Sequence, residues 1–393
     1  TMTHVINAHL RRHETYRSWF EYKDAKNILR HKINNPRDIQ LAPVQHGQMT
    51  QPQWRDLVLS TPNPLQWDCF RFGLIQHENR CTLFAIVDHL HCDPALVSSL
   101  YVEILTNYNA LVAGKPPVEM PSTASHEDFC SRERALADAA TVDSPAVRKW
   151  IEFAEANGGA MPDFPLPLGD QSIPCGGDMM VVPLMNPEQT ARFEDGCIAA
   201  GARFSGGLFP CAALAHYELT GQETYYGLTP VDKRSSPEEY MTMGWFTGII
   251  PFTVPIDPNS FEATAHATQA SFDENIDLAN VPYDRVMELA PWLKRFGRQF
   301  TMMNYMDAGL PPLSAVVATA LKGSNATAYN DGRSPAYMYM SVIRLFDEVS
   351  LMISFPNNPV ARDSMTCYGE VIKSVFERVA AGRYAPAAVR VSG

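Results

Sequence analysis

The fold is decided by residues 65–94, which read LQWDCFRFGLIQHENRCTLFAIVDHLHCDP. Two runs rich in apolar and aromatic residues, 65–76 and 81–88, flank a polar tetrapeptide at 77–80. This pattern predicts a β-hairpin. The second run ends at the ionisable cluster 89–94, after which residues 95–112 carry apolar side chains at the three- and four-residue intervals of a helix. We therefore expect a polar cluster held between the end of a strand and a helix.

Helix and strand patterns alternate through the rest of the chain. Helices are predicted at 3–20, 144–157, 186–201, 206–220, 260–278 and 363–381, and strands at 224–230, 247–255, 299–305, 337–346 and 349–355. The alternation predicts an α/β (α+β) protein whose sheets are covered by helices. At 393 residues the chain exceeds what one core organises, so we expect two lobes. Proline and glycine concentrate at 158–178, which places the predicted boundary between an N-terminal lobe, 1–165, and a C-terminal lobe, 166–393.

Composition excludes several classes of protein. Lys+Arg number 32 against 43 Asp+Glu, a net charge of −11, and no basic block is present, which argues against nucleic-acid binding. No apolar run approaches the roughly 18–20 residues of a membrane-spanning helix. The eight cysteines form no CxxC pair and are expected to be free thiols in a reducing cytoplasm.

The start of the chain carries two further expectations. No basic and then apolar leader precedes Thr1, so we expect no signal peptide. The opening helical pattern has no clear cap, which indicates that the chain begins inside an element and that native residues upstream are missing.

The cluster His89-Leu90-His91-Cys92-Asp93-Pro94 is the candidate for chemistry. One interpretation is general-base catalysis, in which an imidazole takes a proton from an attacking hydroxyl or amine and a carboxylate holds the loop. A second is a zinc hydrolase, because His-x-His-x-Asp resembles the metallo-β-lactamase signature, although Pro94 stands where that signature has another histidine. A third is a set of ordinary polar groups at a strand end.

His89 and Asp93 resemble the HHxxxDG signature of the chloramphenicol-acetyltransferase-like superfamily, which includes peptide condensation domains, plant alcohol acyltransferases and polyketide-associated acyltransferases. Asp88 and Pro94 stand where that signature has its first histidine and its glycine. Further stretches resemble condensation-domain motifs and occur in the same order. They are 8–20 (AHLRRHETYRSWF), 229–238 (TPVDKRSSPE), 243–251 (MGWFTGIIP) and 281–286 (VPYDRV).

Within the superfamily the chain resembles mycobacterial polyketide-associated (Pap) acyltransferases of the trehalose or trehalose-2-sulfate branch. Three stretches carry this resemblance: 203–207 (RFSGG), 244–248 (GWFTG) and 355–359 (FPNNP). The DFGWG loop of plant acyltransferases has at most a remnant here, Asp331-Gly332.

The resemblance implies two chloramphenicol-acetyltransferase-like lobes with an active-site tunnel between them. His89 would be the general base and Asp93 a structural carboxylate paired with Arg234. Acyl transfer would be direct, with no metal and no redox cofactor, so Cys92 is not expected to be a covalent nucleophile.

For the other candidate site residues the sequence leaves more than one role. His91 is either a polar neighbour that positions the loop or part of the acceptor site. Asn304 is a candidate oxyanion donor, followed by Trp245 and Thr247, with core packing as the alternative for Trp245. The methionines at 302–306 and 338–352 would line an acyl channel or belong to the core.

The implied substrates are an acyl-CoA or acyl carrier protein of a polyketide synthase and a trehalose-type sugar. No glycine-rich phosphate loop is present, so phosphate contacts would come from basic residues such as Lys322 or Arg333. We expect a cytoplasmic enzyme, with peripheral association with lipid transporters at the inner face of the membrane. The rivals are a condensation enzyme with an amine acceptor, the zinc hydrolase, and a non-catalytic family member.

Overall fold

The computed structural model describes residues 1–24, 28–58, 62–93, 100–170, 172–173, 175–295, 300–307, 338–345 and 347–384. The strands are β1 Ser18–Tyr22, β2 Ile28–Lys32, β3 Val44–His46, β4 Phe70–Gln76, β5 Cys81–Val87, β6 Gly177–Met185, β7 Thr224–Asp232, β8 Thr247–Pro255, β9 Thr301–Asp307, β10 Met338–Leu345 and β11 Glu348–Pro356.

The helices alternate with these strands, as predicted. They are α1 Met2–Arg12, α2 Gln51–Val58, α3 Thr106–Val112, α4 His126–Ala139, α5 Pro145–Ala156, α6 Pro187–Ala199, α7 Phe204–Thr220, α8 Pro237–Tyr240, α9 Phe261–Asn275, α10 Tyr283–Leu289 and α11 Pro359–Ala380. Shorter 3₁₀ segments cover Glu14–Arg17, Pro36–Asp38 and Ile276–Asn280, and a π-helical turn covers Tyr101–Leu105.

The chain forms two compact units. Among the described residues, the first contains Thr1–Glu133 and Lys233–Thr247, and the second contains Arg134–Asp232, 248–307 and 338–384. These units do not coincide with the predicted segments 1–165 and 166–393, because 134–165 joins the second unit and 233–247 joins the first.

Buried side chains explain this difference. The α5 residue Trp150 is 1% exposed and donates its indole N–H to the carbonyl of Leu278, within the second unit. Phe164, Leu166 and Leu168 lie in the core of the same unit, although they belong to the proline-rich stretch. Proline and glycine therefore mark irregular backbone here, while the apolar residues between them decide which core the segment joins.

The first unit contains the predicted hairpin. β4 and β5 pair antiparallel, with Phe72 opposite Ala85, and β3 adds to β4 in parallel. The hairpin prediction is confirmed, although its first strand begins at Phe70 and not at residue 65.

The predicted opening helix over 3–20 is wrong in its second half. Helix α1 ends at Arg12, and Ser18–Tyr22 is a strand that pairs antiparallel with β2. The aromatic residues Trp19 and Phe20 favour a strand once a partner strand is available, and that partner is supplied by tertiary pairing. The buried face of α1, including Val5, Ile6 and Leu10, belongs to the same core as Tyr16 and Phe70.

The second unit is built on a six-stranded mixed sheet in the order β6-β11-β10-β9-β7-β8. β10 pairs parallel with β9 and antiparallel with β11, and β11 pairs antiparallel with β6. Helix α11 packs on α6, α7 and β6, so one face of the sheet is covered. The sheet-and-helix class predicted for both halves is therefore confirmed.

The sequence patterns missed several elements, among them β6 and α4. Edge strand β6 contains Pro183, which lacks the N–H that strand pairing uses. Helix α4 is polar and buries only His126 and Phe129, so its apolar periodicity is weak.

Among the described helices, none has by itself the length and apolar composition of a membrane span, whereas the pair α6 and α7, bent by 94°, meets that test together.

The crossing of α6 and α7 depends on Gly207. A Cβ at this position would lie 2.2 Å from Sγ of Cys197 and 3.0 Å from the Phe193 ring, so Gly207→Ala should cost about 1–3 kcal/mol through overpacking. Gly196→Ala is the control, because a Cβ there meets no atom within 4 Å. Urea unfolding of both variants measures the difference, and equal stabilities would contradict the proposed crossing constraint.

Candidate active site

The loop after β5 is held by Asp88, which occupies the place of the first histidine in the family signature. Its carboxylate accepts the Leu90 N–H at 2.9 Å, and its carbonyl accepts the His91 N–H at 3.0 Å. An aspartate that bonds to the backbone two residues ahead stabilises a tight turn. This departure from the signature therefore has a structural function, since it fixes the turn that carries His89.

His89 is oriented by its own loop. Its Nδ1 lies 2.8 Å from the carbonyl oxygen of Cys92, and because a carbonyl only accepts, Nδ1 carries the proton. In the neutral ring the lone pair is then on Nε2. The side chain is exposed, and its ring rests against Trp245 with a centroid separation of 4.9 Å. In its neutral form His89 therefore offers an oriented Nε2 lone pair to an incoming proton donor.

Asp93 and Arg234 form a buried, two-pronged ion pair, as predicted. Nη1 and Nη2 of Arg234 lie 2.8 and 3.0 Å from the two carboxylate oxygens of Asp93, and both side chains are 2% exposed. The same carboxylate accepts the Phe246 N–H at 3.0 Å. The guanidinium stacks on the Phe246 ring at 4.3 Å, so the pair is enclosed by the segment that it anchors.

The segment that carries Trp245 is also held by His126. The imidazole Nε2–H donates to the carbonyl of Trp245 at 3.3 Å, and burial lowers the pKa of His126. Gly244 allows this approach, since a Cβ there would lie 2.3 Å from the His126 ring. These contacts place the Trp245 ring beside His89.

The structure disfavours Trp245 as an oxyanion donor, whereas that role for Thr247 stays a prediction. Trp245 is 38% exposed, so it is not a core residue, but its indole N–H already donates to the carbonyl of Thr247 at 2.9 Å. Trp245 is therefore positioned as a wall beside His89, and its N–H is occupied. Thr247 stands at the start of β8 with a half-buried side chain.

His91 points into the protein. It is 1% exposed, and its Nε2–H donates to the carbonyl of Ser18 at 2.9 Å. Its own carbonyl accepts the hydroxyl of Thr15, also at 2.9 Å. This corrects the acceptor-binding role considered for His91, because a buried ring has no surface to offer a substrate; the alternative, a residue that positions the loop, agrees with the contacts.

The zinc-hydrolase interpretation is wrong for the same reason. His89 faces outward, His91 faces inward, and both oxygens of Asp93 are taken by Arg234, so the three side chains share no point at which an ion could bind. Covalent catalysis by Cys92 is also disfavoured, because Cys92 is 5% exposed and burial raises the pKa of its thiol far above neutral.

A buried polar network that the sequence analysis missed lies behind the site. The Glu103 carboxylate accepts hydrogen bonds from His9 Nδ1 at 2.8 Å, Arg12 Nε at 2.9 Å and His13 Nε2 at 3.0 Å. His13 Nδ1 accepts the Met243 N–H at 3.2 Å. The network therefore connects α1 to the segment that carries Trp245.

Protonation explains why this network is not a metal site. His9, His13 and Glu103 lie close enough to hold an ion. However, the Met243 N–H takes the lone pair of His13 Nδ1, so the other ring nitrogen carries a proton aimed at Glu103. Burial lowers the pKa of His13 to about 4, whereas the bonds from His13 and His9 hold the pKa of Glu103 well below its usual range in spite of burial.

Glu14, in the stretch 8–20 that resembles a condensation-domain motif, has a structural role too. Its carboxylate accepts the backbone N–H of Glu127 at 3.2 Å and the hydroxyl of Ser125 at 3.0 Å, and it pairs with Lys32. These partners outweigh burial and lower the pKa of Glu14 to about 2. Glu14 therefore stabilises the start of α4.

The remaining predicted residues lie elsewhere. Asn304 is on β9 of the second unit, opposite Ser341 and 8% exposed, and its role as oxyanion donor stays a prediction. Met303, Met338 and Met340 are core residues of that unit, which favours packing over an acyl channel for these three. Lys322, Arg333 and the pair Asp331-Gly332 lie outside the described residues.

The comparison with protein families gives one match over most of the chain. The model of the condensation domain matches residues 1–330. This agrees with the resemblance seen in the motifs.

Individual relatives are mycobacterial. The chain is 49% identical to acyltransferase PapA3 of Mycobacterium tuberculosis over 96% of its length and 80% of the relative's. It is 45% identical to the trehalose-2-sulfate acyltransferase PapA2 of Mycobacterium bovis, over 98% of its own length and 82% of the relative's.

Comparison with solved structures gives matches of the same kind. The structure described as PapA2 acyl transferase superposes with a TM-score of 0.90 at 44% identity, covering 96% of this chain and 82% of that one. The SgcC5 protein from Streptomyces globisporus shares the fold, with a TM-score of 0.76 at 15% identity and coverage of 98% and 90%.

Removing Asp93 should destabilise the protein as well as inactivate it. Asp93→Ala leaves the Arg234 charge buried without its partner, at a cost of roughly 3–5 kcal/mol, measured by urea unfolding. Asp68→Ala is the control, since its pair with Arg71 is exposed and should contribute less than about 1 kcal/mol. An inactive Asp93→Ala variant that unfolds like the parent would contradict the structural role.

Stability should fall as the pH drops below neutral. The pKa of His13 is about 4 in the folded protein against 6.5 for a free side chain, so the unfolded chain binds the extra proton in this window and unfolding is favoured. This single group should remove about 2 kcal/mol between pH 7 and pH 5.

The slope of stability against pH identifies the group. His13→Asn should be less stable than the parent at neutral pH and should lose the part of the slope that His13 contributes, about 2 kcal/mol between pH 7 and pH 5, whereas His77→Asn in the hairpin turn should keep the parental slope. If urea unfolding gives His13→Asn the parental slope, the dependence belongs to other groups.

Proposed function

The chain belongs to the condensation-domain family, and we propose that it is an O-acyltransferase that moves an acyl group from a thioester to a hydroxyl of trehalose or sulfated trehalose. The observation that carries this proposal is the orientation of His89: its Nδ1–H is bound to the Cys92 carbonyl, so in the neutral form of this exposed residue the lone pair is on Nε2. Such a nitrogen is a general base for a neutral hydroxyl.

The proposed reaction is a direct transfer. His89 Nε2 removes the proton of the sugar hydroxyl while the oxygen attacks the thioester carbonyl. The tetrahedral intermediate then collapses, the C–S bond breaks, and the proton passes from His89 to the thiolate that leaves. General-base assistance of this kind contributes about 10²–10⁴-fold in rate.

The sugar acceptor is supported by the relatives. PapA2 is named for trehalose 2-sulfate, and PapA1, 49% identical over 97% of this chain, is named for transfer to an acylated sulfo-trehalose. Neighbours at 13–16% identity, such as the epimerization and condensation domains, share the fold alone. The amine acceptor is therefore the less supported alternative.

The proposal also covers the acyl donor and the cellular location of the reaction. We propose an acyl-CoA or a carrier-protein thioester as donor, with no metal and no redox cofactor, and with Asn304 as an oxyanion donor. We place the reaction in the cytoplasm, where thiols such as the exposed Cys81 remain reduced, with peripheral attachment to lipid transporters at the inner membrane face.

The test of the base is the variant His89→Ala. It should retain the parental melting temperature, because the ring is exposed, and lose about 10²–10⁴-fold in kcat with labelled acyl-CoA and trehalose or trehalose 2-sulfate. His77→Ala, in the β4–β5 turn, should keep full activity. Parental turnover by His89→Ala would exclude it as the base, and transfer to amines but not to sugars would exclude the proposed acceptor.

A further inference from the structure

Arg30, on β2, differs from the basic residues beside it. His31 pairs with Glu21 at 2.5 Å, and Lys32 pairs with both Glu14 and Glu127. In contrast, Nε of Arg30 is buried and has no hydrogen-bond partner. Among the described residues, no carboxylate lies within 4.0 Å of the Arg30 guanidinium. Within the part of the chain that the structure describes, the Arg30 guanidinium is therefore left without a counter-charge.

Strand pairing shows which face of the hairpin Arg30 occupies. Arg30 is directly opposite Phe20, and residues opposite one another in an antiparallel pair project to the same face. The Phe20 ring lies 5.5 Å from that of His91, two residues from His89. The Arg30 side chain therefore shares the face of the hairpin that is turned toward the catalytic loop.

The contacts of Lys32 and His126 also place the Arg30 side chain near the catalytic loop. Lys32 is two residues further along β2, on the same face, and it reaches Glu127 in the first turn of α4. The neighbouring residue His126 feels the Arg30 charge, which together with burial lowers its pKa. His126 holds the carbonyl of Trp245, and Trp245 packs against His89, so Arg30 lies near the wall of the catalytic site within the first unit.

Nε of Arg30 is buried without a partner although the side chain as a whole is half-buried, and an anion would supply both an acceptor for this N–H and a counter-charge. The planar fork of arginine matches two oxygens of a sulfate or phosphate group, with short charge-assisted hydrogen bonds. Lys32 does not compete for such an anion, because two carboxylates already neutralise it.

We infer that Arg30 forms an anion subsite for a sulfate or phosphate monoester carried by a substrate of this enzyme. The inference rests on the proposed function, in which the acceptor can carry a sulfate ester and the CoA donor carries phosphates. The shared chemistry is a tetrahedral oxyanion, and neutral trehalose or pantetheine lacks it.

Calorimetric binding to the full chain tests the subsite without turnover. The ligands are trehalose 2-sulfate with trehalose, and CoA with pantetheine. Arg30→Gln should weaken binding of one charged ligand by about 10- to 100-fold and leave its neutral counterpart unchanged. Arg30→Lys, which keeps the charge and loses the fork, should be intermediate. Arg80→Gln removes the same charge from the exposed turn of the β4–β5 hairpin and should bind like the parent.

Each outcome decides the matter. A selective loss for trehalose 2-sulfate assigns the subsite to the acceptor's sulfate, and a selective loss for CoA assigns it to the donor's phosphate. Unchanged binding by Arg30→Gln, equal losses for charged and neutral ligands, an equal loss in Arg80→Gln, or no binding of either charged ligand by the parent protein overturns the inference.

The same measurements separate this inference from the proposed function. If binding depends on Arg30 but the parent protein transfers no acyl group to any sugar, the subsite stands and the proposed function fails. If the parent protein acylates trehalose 2-sulfate and Arg30→Gln binds every ligand like the parent, the proposed function stands and the subsite fails.

Discussion

The buried pair of Asp93 and Arg234 is the interaction on which the rest of the site depends. It joins the end of the catalytic loop to a segment 141 residues later in the chain, and it does so with both carboxylate oxygens. Because the Asp93 carboxylate also accepts the Phe246 N–H, the backbone next to Trp245 is tied to the loop that carries His89. A charge-assisted, two-pronged contact restricts both partners to one geometry. The reacting imidazole can therefore be exposed and still be oriented, since its supports are buried.

The Glu103 network fixes the same segment from the other side. His13 links Glu103 to the Met243 N–H, three residues before Phe246, so the backbone around Trp245 is held at two points. Within this network each described polar atom has a defined donor or acceptor role, which makes it rigid and leaves no lone pair for an ion. The four histidines of this region have different roles. His89 is exposed to solvent, whereas His91, His13 and His126 are buried and form hydrogen bonds to backbone groups. Only the first has the exposure that catalysis requires.

The sequence pattern predicted an element correctly where the residues of that element themselves show the periodicity or the motif. The hairpin of Phe70–Gln76 and Cys81–Val87 and helix α11 follow from apolar periodicity, and the pairing of Asp93 with Arg234 followed from family motifs. The sequence pattern gave wrong predictions where the structure of a segment depends on contacts with residues outside that segment. The opening helix was extended through Phe20 because the pairing of Ser18–Tyr22 with β2 is a tertiary contact. The lobe boundary was drawn at the proline-rich stretch because its composition is visible, while the burial of Phe164 and Leu168 in the second core is not.

The order of residues alone was sufficient to indicate the fold class, because that depends on periodicity, and its resemblance to the motifs of a known family indicated the acyltransferase chemistry and the choice of His89 and Asp93. It could not tell His89 from His91 by orientation, since the turn set by Asp88 sends one ring outward and the other toward Ser18. Nor could it find Glu103, which lies 90 residues from His13, or the buried Nε of Arg30, which has no hydrogen-bond partner among the described residues. Burial and hydrogen-bond partnership are properties of the folded chain, because they arise only when distant segments meet and exclude water.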